Sequence, residues 1–103
     1  MGRARTKALD ISPAVKRAVW ERDGGHCIIC GRHEAAPNAH FIARSQGGLG
    51  IPENGLTLCP MCHRLYDQSL ARKRMREFFR EYLSEHYEDW SEDALIYRKG
   101  ETI

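Results

Sequence analysis

Cys27-Ile28-Ile29-Cys30 and Cys59-Pro60-Met61-Cys62-His63 are the stretches that decide how this chain is read. Each is a C-x-x-C knuckle, a spacing that offers two sulfurs to one tetrahedral ion. Gly24-Gly25 precede the first knuckle, Gly31 follows it, and Pro60 lies inside the second, so turn chemistry frames both. No apolar segment near the N-terminus fits a secretory signal, so a disulfide framework is not expected. Cys27, Cys30, Cys59 and Cys62 therefore read as one four-thiolate structural zinc site, with rubredoxin-like iron or a redox dithiol as alternatives. The pairs are separated by 28 residues, more than the ~15–20 of a simple zinc ribbon. Something is built between the knuckles.

Working outward, Ser12 before Pro13 is a helix start: a capping hydroxyl, then proline at the first helical position. Val15, Ala18, Val19 and Trp20 give a helical stripe, which predicts a helix over 13–22 ended by Asp23-Gly24-Gly25. Residues 33–38 read as a loop and Phe41–Ala43 as a short strand directly after His40. Ser45-Gln46-Gly47-Gly48-Leu49-Gly50 must turn. Leu56-Thr57-Leu58 is a second strand, and a helix opens near Pro60 carrying Cys62, His63 and Asp67. Ser69 is the expected cap of a longer helix over 70–87, whose apolar stripe is Met75, Phe78, Phe79, Tyr82 and Leu83. Its other face holds Arg72, Lys73, Arg74, Arg76 and Arg80. Such a run is commonly only a solvated face.

The chain has 103 residues, which points to one domain. At 42% hydrophobic and 29% charged it has the composition of a folded soluble protein. No apolar run approaches the ~20 residues needed to span a membrane. Net charge is +2, but residues 1–80 carry +7 and residues 81–103 carry −5. A basic body suggests an anionic partner, with nucleic acid the first candidate and a plain solvated surface the alternative. The organisation expected is a basic arm over 1–10, one domain over 11–87 and an acidic tail over 88–103, with Leu95-Ile96-Tyr97 a possible strand or turn.

Between and at the knuckles lie His40, Asn54 and His63, at three corners of a strand–glycine loop–strand–helix order. Ala39-His40-Phe41-Ile42, Gly47-Gly48, Glu53-Asn54-Gly55-Leu56 and Leu58-Cys59-Pro60-Met61-Cys62-His63 together resemble the HNH endonuclease family, and the Cys27/Cys30 knuckle resembles its zinc-stapled, small phage-type branch. The resemblance covers about residues 14–68. It implies a small α+β fold with a ββα-metal core, stapled by the four-cysteine zinc site and flanked by helices. It implies a monomer or weak dimer of bacterial or phage origin, acting in the cytoplasm on DNA and nicking one strand per active site. His40 would be the general base, which suits an imidazole with an ordinary pKa near ~6.5. Asn54 would pin the loop that orients it, and in some members also touches metal. His63 would bind a catalytic divalent cation, Mg²⁺ or Mn²⁺, with Asp67 one helical turn on as a further ligand. Arg44, Arg72, Lys73, Arg74 and Arg76 would meet the nucleic acid.

Each residue has a plainer reading too. His40 could be a hydrogen-bonded core histidine, Asn54-Gly55 a routine turn, His63 a competitor for the zinc, and Asp67 a partner of Arg64. The resemblance departs at Ala39, where the family often places a metal-binding side chain. The rival function is therefore a non-catalytic zinc module that binds nucleic acid. A protein-binding adaptor working through the acidic tail is a third.

Overall fold

A computed structural model describes residues 7–98. The first part of the expected basic arm, residues 1–6, and the end of the chain, residues 99–103, lie outside the described residues.

Helix α1 spans Pro13–Arg22 and starts as its sequence dictates: Ser12 Oγ accepts the Val15 N–H at 3.2 Å. It stops at Asp23, followed by Gly24 and Gly25 with φ of 74° and 72°, a region glycine enters without strain. Only Val19 of its stripe is buried. The helix is held instead by its last residue. Arg22 binds Asp23 through both carboxylate oxygens, at 2.7 and 3.0 Å, and donates to the carbonyls of Pro52 and Gly55. Asp23 in turn accepts the Thr57 N–H at 2.9 Å. A buried ion pair is tolerable only when its remaining donors and acceptors are met, and here they are.

The sheet is one antiparallel hairpin, β1 Ala36–His40 on β2 Gly55–Leu58, with Ala39 opposite Leu56 and His40 opposite Gly55. This corrects the strand expected at 41–43, and it shortens the loop expected at 33–38, whose residues from Ala36 onward are strand. The ladder ends at His40, because beyond it the backbone bonds to Asn54 and not to a strand: Phe41 N–H to the Asn54 carbonyl at 2.8 Å and Ile42 N–H to Asn54 Oδ1 at 2.8 Å. Helix α2 spans Pro60–Gln68, as the sequence indicated. Helix α3 spans Arg72–His86, starting later than expected. Ser69 Oγ donates back to the Leu65 carbonyl and accepts the Ala71 N–H, so it closes α2 and bridges the turn.

Met75, Phe79 and Leu83 of α3 bury against Phe41, Leu56, Leu58 and Tyr66, whereas Phe78 of the expected stripe is exposed. Leu95 completes the same core. The acidic C-terminal segment is thus docked, through Glu92–Leu95 as a 3-10 turn, a Gly48–Ile96 bridge and Trp90 Nε1 donating to the Glu53 carbonyl. Residues 7–10 are docked as well: Leu9 is fully buried and Gly50 N–H bonds the Ala8 carbonyl at 3.0 Å. The result is a small α+β domain: a hairpin covered by helices, with the cysteines at one end.

Candidate functional site

The knuckles bring their four sulfurs together. The Sγ atoms of Cys27, Cys30, Cys59 and Cys62 all lie within 4.8 Å of one another, and Cys30 and Cys59 are 3.6 Å apart. That is far longer than the ~2.05 Å of a disulfide. It matches the ~3.8 Å edge of a tetrahedron of sulfurs bonded at ~2.3 Å to one ion. Gly31, at φ 81°, lets the first knuckle close, its N–H reaching the Cys27 carbonyl at 2.9 Å. In the second, Cys59 caps α2, and its Sγ accepts the Cys62 N–H at 3.4 Å. Burial raises the Cys27 thiol, but N–H donors from Cys30, Cys59 and Ile29 outweigh it and bring the group to about 7. Burial, then the neighbouring sulfurs, push Cys62 up. Four thiolates crowded this closely need a cation, and the donor set is arranged to hold a metal ion.

The second feature is an open cavity of about 500 Å³ beside the hairpin. His40 reaches it from the end of β1, His63 and Asp67 from α2, Arg72 from the start of α3, and Arg44 from the turn after β1. His63 Nε2 and Asp67 Oδ2 stand 3.6 Å apart, one turn along the helix. His40 is half-buried and donates from Nε2 to the Leu9 carbonyl at 2.9 Å. A carbonyl only accepts, so the proton sits on Nε2 and Nδ1 is left as a proton acceptor. Burial first, then the charges of Arg44 and His63, hold His40 below its usual pKa against the opposing pull of the Leu9 carbonyl and Asp10.

The cations differ in how firmly they are held. Arg72 donates to the Tyr66 carbonyl at 2.7 Å and lies over the Tyr66 ring, so its charge is fixed at the cavity. Arg44 is paired with Asp10 at 2.6 Å, both groups about half exposed. Arg76 faces elsewhere: it binds Glu92 at 2.6 Å and stacks over Phe41. Its engagement with Glu92 ties the acidic segment to α3. Lys73 and Arg74 are exposed and do not line the cavity.

Asn54 does not enter the cavity. It is fully buried, its Oδ1 accepting from Ile42 N–H and its Nδ2 donating to the carbonyls of Ile42, at 3.2 Å, and Leu49, at 2.9 Å. All of its near donors and acceptors are occupied by backbone, so it clamps the loop after His40 and is not placed to ligate a cation, a correction to the wider metal set. Ala39 is also buried in the core, since alternate strand residues face opposite ways. The same alternation puts Asn38 beside His40 on the cavity wall. The sequence reading missed Asn38; once the strand is known to include residue 38, its i−2 position relative to His40 identifies it.

A hairpin, a glycine-bearing loop clamped by a buried asparagine, a helix bringing a histidine and an aspartate to a histidine-lined cleft, and a tetrathiol centre define a class of small metal-binding α+β modules. A family model described as HNH endonuclease matches residues 27–71, so that stretch is similar to the HNH endonuclease family. The chain is also 28% identical over 64 residues to Anaredoxin of Nostoc sp. (strain PCC 7120 / SAG 25.82 / UTEX 2576), an alignment covering 61% of this chain and 84% of Anaredoxin. Among the described residues no helix is long and apolar enough to cross a membrane.

Proposed function

We propose that the protein is a metal-dependent endonuclease that hydrolyses DNA phosphodiester bonds, one strand per active site, around a structural zinc held by Cys27, Cys30, Cys59 and Cys62. The observation that carries this is the single cavity shared by His40, His63, Asp67, Arg44 and Arg72. Closed tetrathiolate centres of this kind are structural, because no coordination position is open to substrate. A reducing cytoplasm suits the four free thiols.

Arg72 and Arg44 bind the phosphate and orient it over the histidines. His40 Nδ1 takes a proton from the attacking water, and its lowered pKa keeps it neutral at pH 7 and ready to do so. His63 and Asp67 would hold the divalent cation. When bound, that cation would polarise the phosphate and stabilise the departing oxygen. Two protein donors suit Mg²⁺ or Mn²⁺, which commonly keep several waters. Asn54 keeps the loop, and with it His40, in register. Exposed Lys73 and Arg74 extend the cationic surface along α3 for non-specific contact with backbone phosphates. With one cleft among the described residues that joins His40 to His63 and Asp67, a monomer would nick one strand, and double-strand cutting would require a dimer or two visits.

A non-catalytic nucleic-acid-binding module is the second reading, favoured by one observation: Ala39 contributes no ligand and lies in the core. Supercoiled plasmid incubated in parallel with EDTA, Mg²⁺, Mn²⁺ and Zn²⁺ separates the two. Nicked circles with Mg²⁺ or Mn²⁺ and none with EDTA support the nuclease. Retarded but intact plasmid under every condition supports the binder.

A further inference from the structure

The polar network around His40 does not close within residues 27–71. Its Nε2 partner is the carbonyl of Leu9, 31 positions upstream and outside the family match. The next residue, Asp10, holds Arg44 through Nε and Nη2 at 3.2 and 2.6 Å. Both contacts come from one short segment, and that segment is built in. Leu9 is fully buried, and the Ala8 carbonyl accepts the Gly50 N–H. The backbone at Asp10 passes so close to Gly50 that a Cβ there would sit 2.1 Å from the Asp10 carbonyl oxygen. Glycine at 50 is therefore needed for this approach and not for its own conformation, since it lacks a positive φ.

We propose that residues 8–10 form a positioning element of the active site: the Leu9 carbonyl fixes the tautomer and ring orientation of His40, while Asp10 holds Arg44 at the cavity mouth. The inference rests on the nuclease reading for its kinetic consequence, but not for its structural one. With the segment in place, Nε2 carries the proton and Nδ1 is the only ring nitrogen that can accept one. With the segment displaced, both tautomers of neutral imidazole become accessible, and part of the population presents an N–H where a base is required. The Arg44–Asp10 pair is half exposed, and such pairs are weak. A DNA phosphate can therefore take Arg44 from Asp10 on binding without unseating the segment, which Leu9 anchors.

Two substitutions displace the segment from opposite sides. Gly50→Ala drives a methyl group into the Asp10 backbone, and Leu9→Asp places a carboxylate in the core pocket that Leu9 fills. Neither residue lines the cavity. The first measurement is ¹⁵N NMR of histidine-labelled, zinc-loaded protein without Mg²⁺ or Mn²⁺, well above the imidazole pKa, with His40 assigned by its loss in His40→Gln. Wild type is expected to show His40 as the Nε2–H form alone, and Gly50→Ala a mixture of tautomers. The second is plasmid nicking: kcat should fall on the order of 10-fold or more while KM changes much less, with zinc content unchanged. A His40 that is Nδ1–H in wild type overturns the proposal, even if Leu9→Asp fails to fold. So does a folded, zinc-loaded Gly50→Ala protein with wild-type tautomer and wild-type kcat. A wild type that never nicks DNA but shows the tautomer change in Gly50→Ala refutes the nuclease reading and leaves the positioning role of Leu9 supported.

Discussion

Replacing Asn54 by alanine removes a buried amide that answers three backbone groups: the Ile42 N–H, the Ile42 carbonyl and the Leu49 carbonyl. Asn54 is fully buried, so water cannot replace it without opening the loop. An orphaned buried donor or acceptor costs ~1–3 kcal/mol, and carbonyls keep some capacity elsewhere, so the loss should be about 3–5 kcal/mol. For a domain of this size each kcal/mol corresponds to ~4–8 °C in Tm, so the melting point of the zinc-loaded protein should fall by at least ~12 °C. Circular dichroism during heating and during guanidinium titration measures this, with bound zinc assayed alongside. Asn54→Asp makes the reasoning sharper. Its carboxylate still accepts from Ile42 N–H but faces two carbonyls in place of donating to them. The carboxylate is disfavoured in the folded state, so its pKa should rise there, and the deficit of Asn54→Asp should shrink as pH falls through the acidic range. If Asn54→Ala melts within ~3 °C of wild type, the clamp does not hold the loop and the account of how His40 is positioned is wrong.

Three further outcomes are expected. Cys59→Ser removes both a metal ligand and the thiolate cap of α2, so zinc should drop below half an equivalent and the protein should melt far lower or become insoluble. His40 titrates below its usual value because burial, then Arg44 and His63, disfavour the imidazolium. Below pH ~6.5 the unfolded chain therefore binds the proton more readily, and stability attributable to His40 is lost as pH falls through that window. The acidic limb of nicking should correspondingly have its midpoint below ~6.5, and a midpoint above that value would contradict the assignment. Lys73→Gln with Arg74→Gln should weaken DNA binding uniformly across sequences and flatten its salt dependence by about two phosphate contacts. An unchanged salt slope would show that α3 is only a solvated face.

The elements written in local chemistry were legible in the sequence. Ser12-Pro13 and Gly24-Gly25 bound α1, and the knuckles placed the metal centre and the start of α2. His40, Asn54 and His63 were singled out by their order around a glycine loop, with Asp67 one helical turn further on; the fold brings His40, His63 and Asp67 to one cavity and buries Asn54 behind it. The strand was misplaced for a physical reason: Phe41-Ile42-Ala43 is apolar enough to be β, but the N–H groups of Phe41 and Ile42 go to the carbonyl and the side chain of Asn54 and not to a strand. Asn38 was missed with it. The charge run on α3 concealed a division between Arg72 at the cavity and Arg76 tied to Glu92. Only the tertiary fold makes that division, as it makes the contacts of Leu9 and Asp10.

The most direct test of the central claim is the single-turnover rate of plasmid nicking by His40→Ala against wild type under saturating Mn²⁺. Zinc content and DNA affinity are matched first. A positioned general base is worth ~10²–10⁴ in rate. The account expects a loss of that order that no excess of cation restores, in contrast to His63→Ala, whose defect should be partly recovered by added Mn²⁺. A His40→Ala protein that nicks as fast as wild type would show that the cavity does not hydrolyse DNA in the way assigned to it.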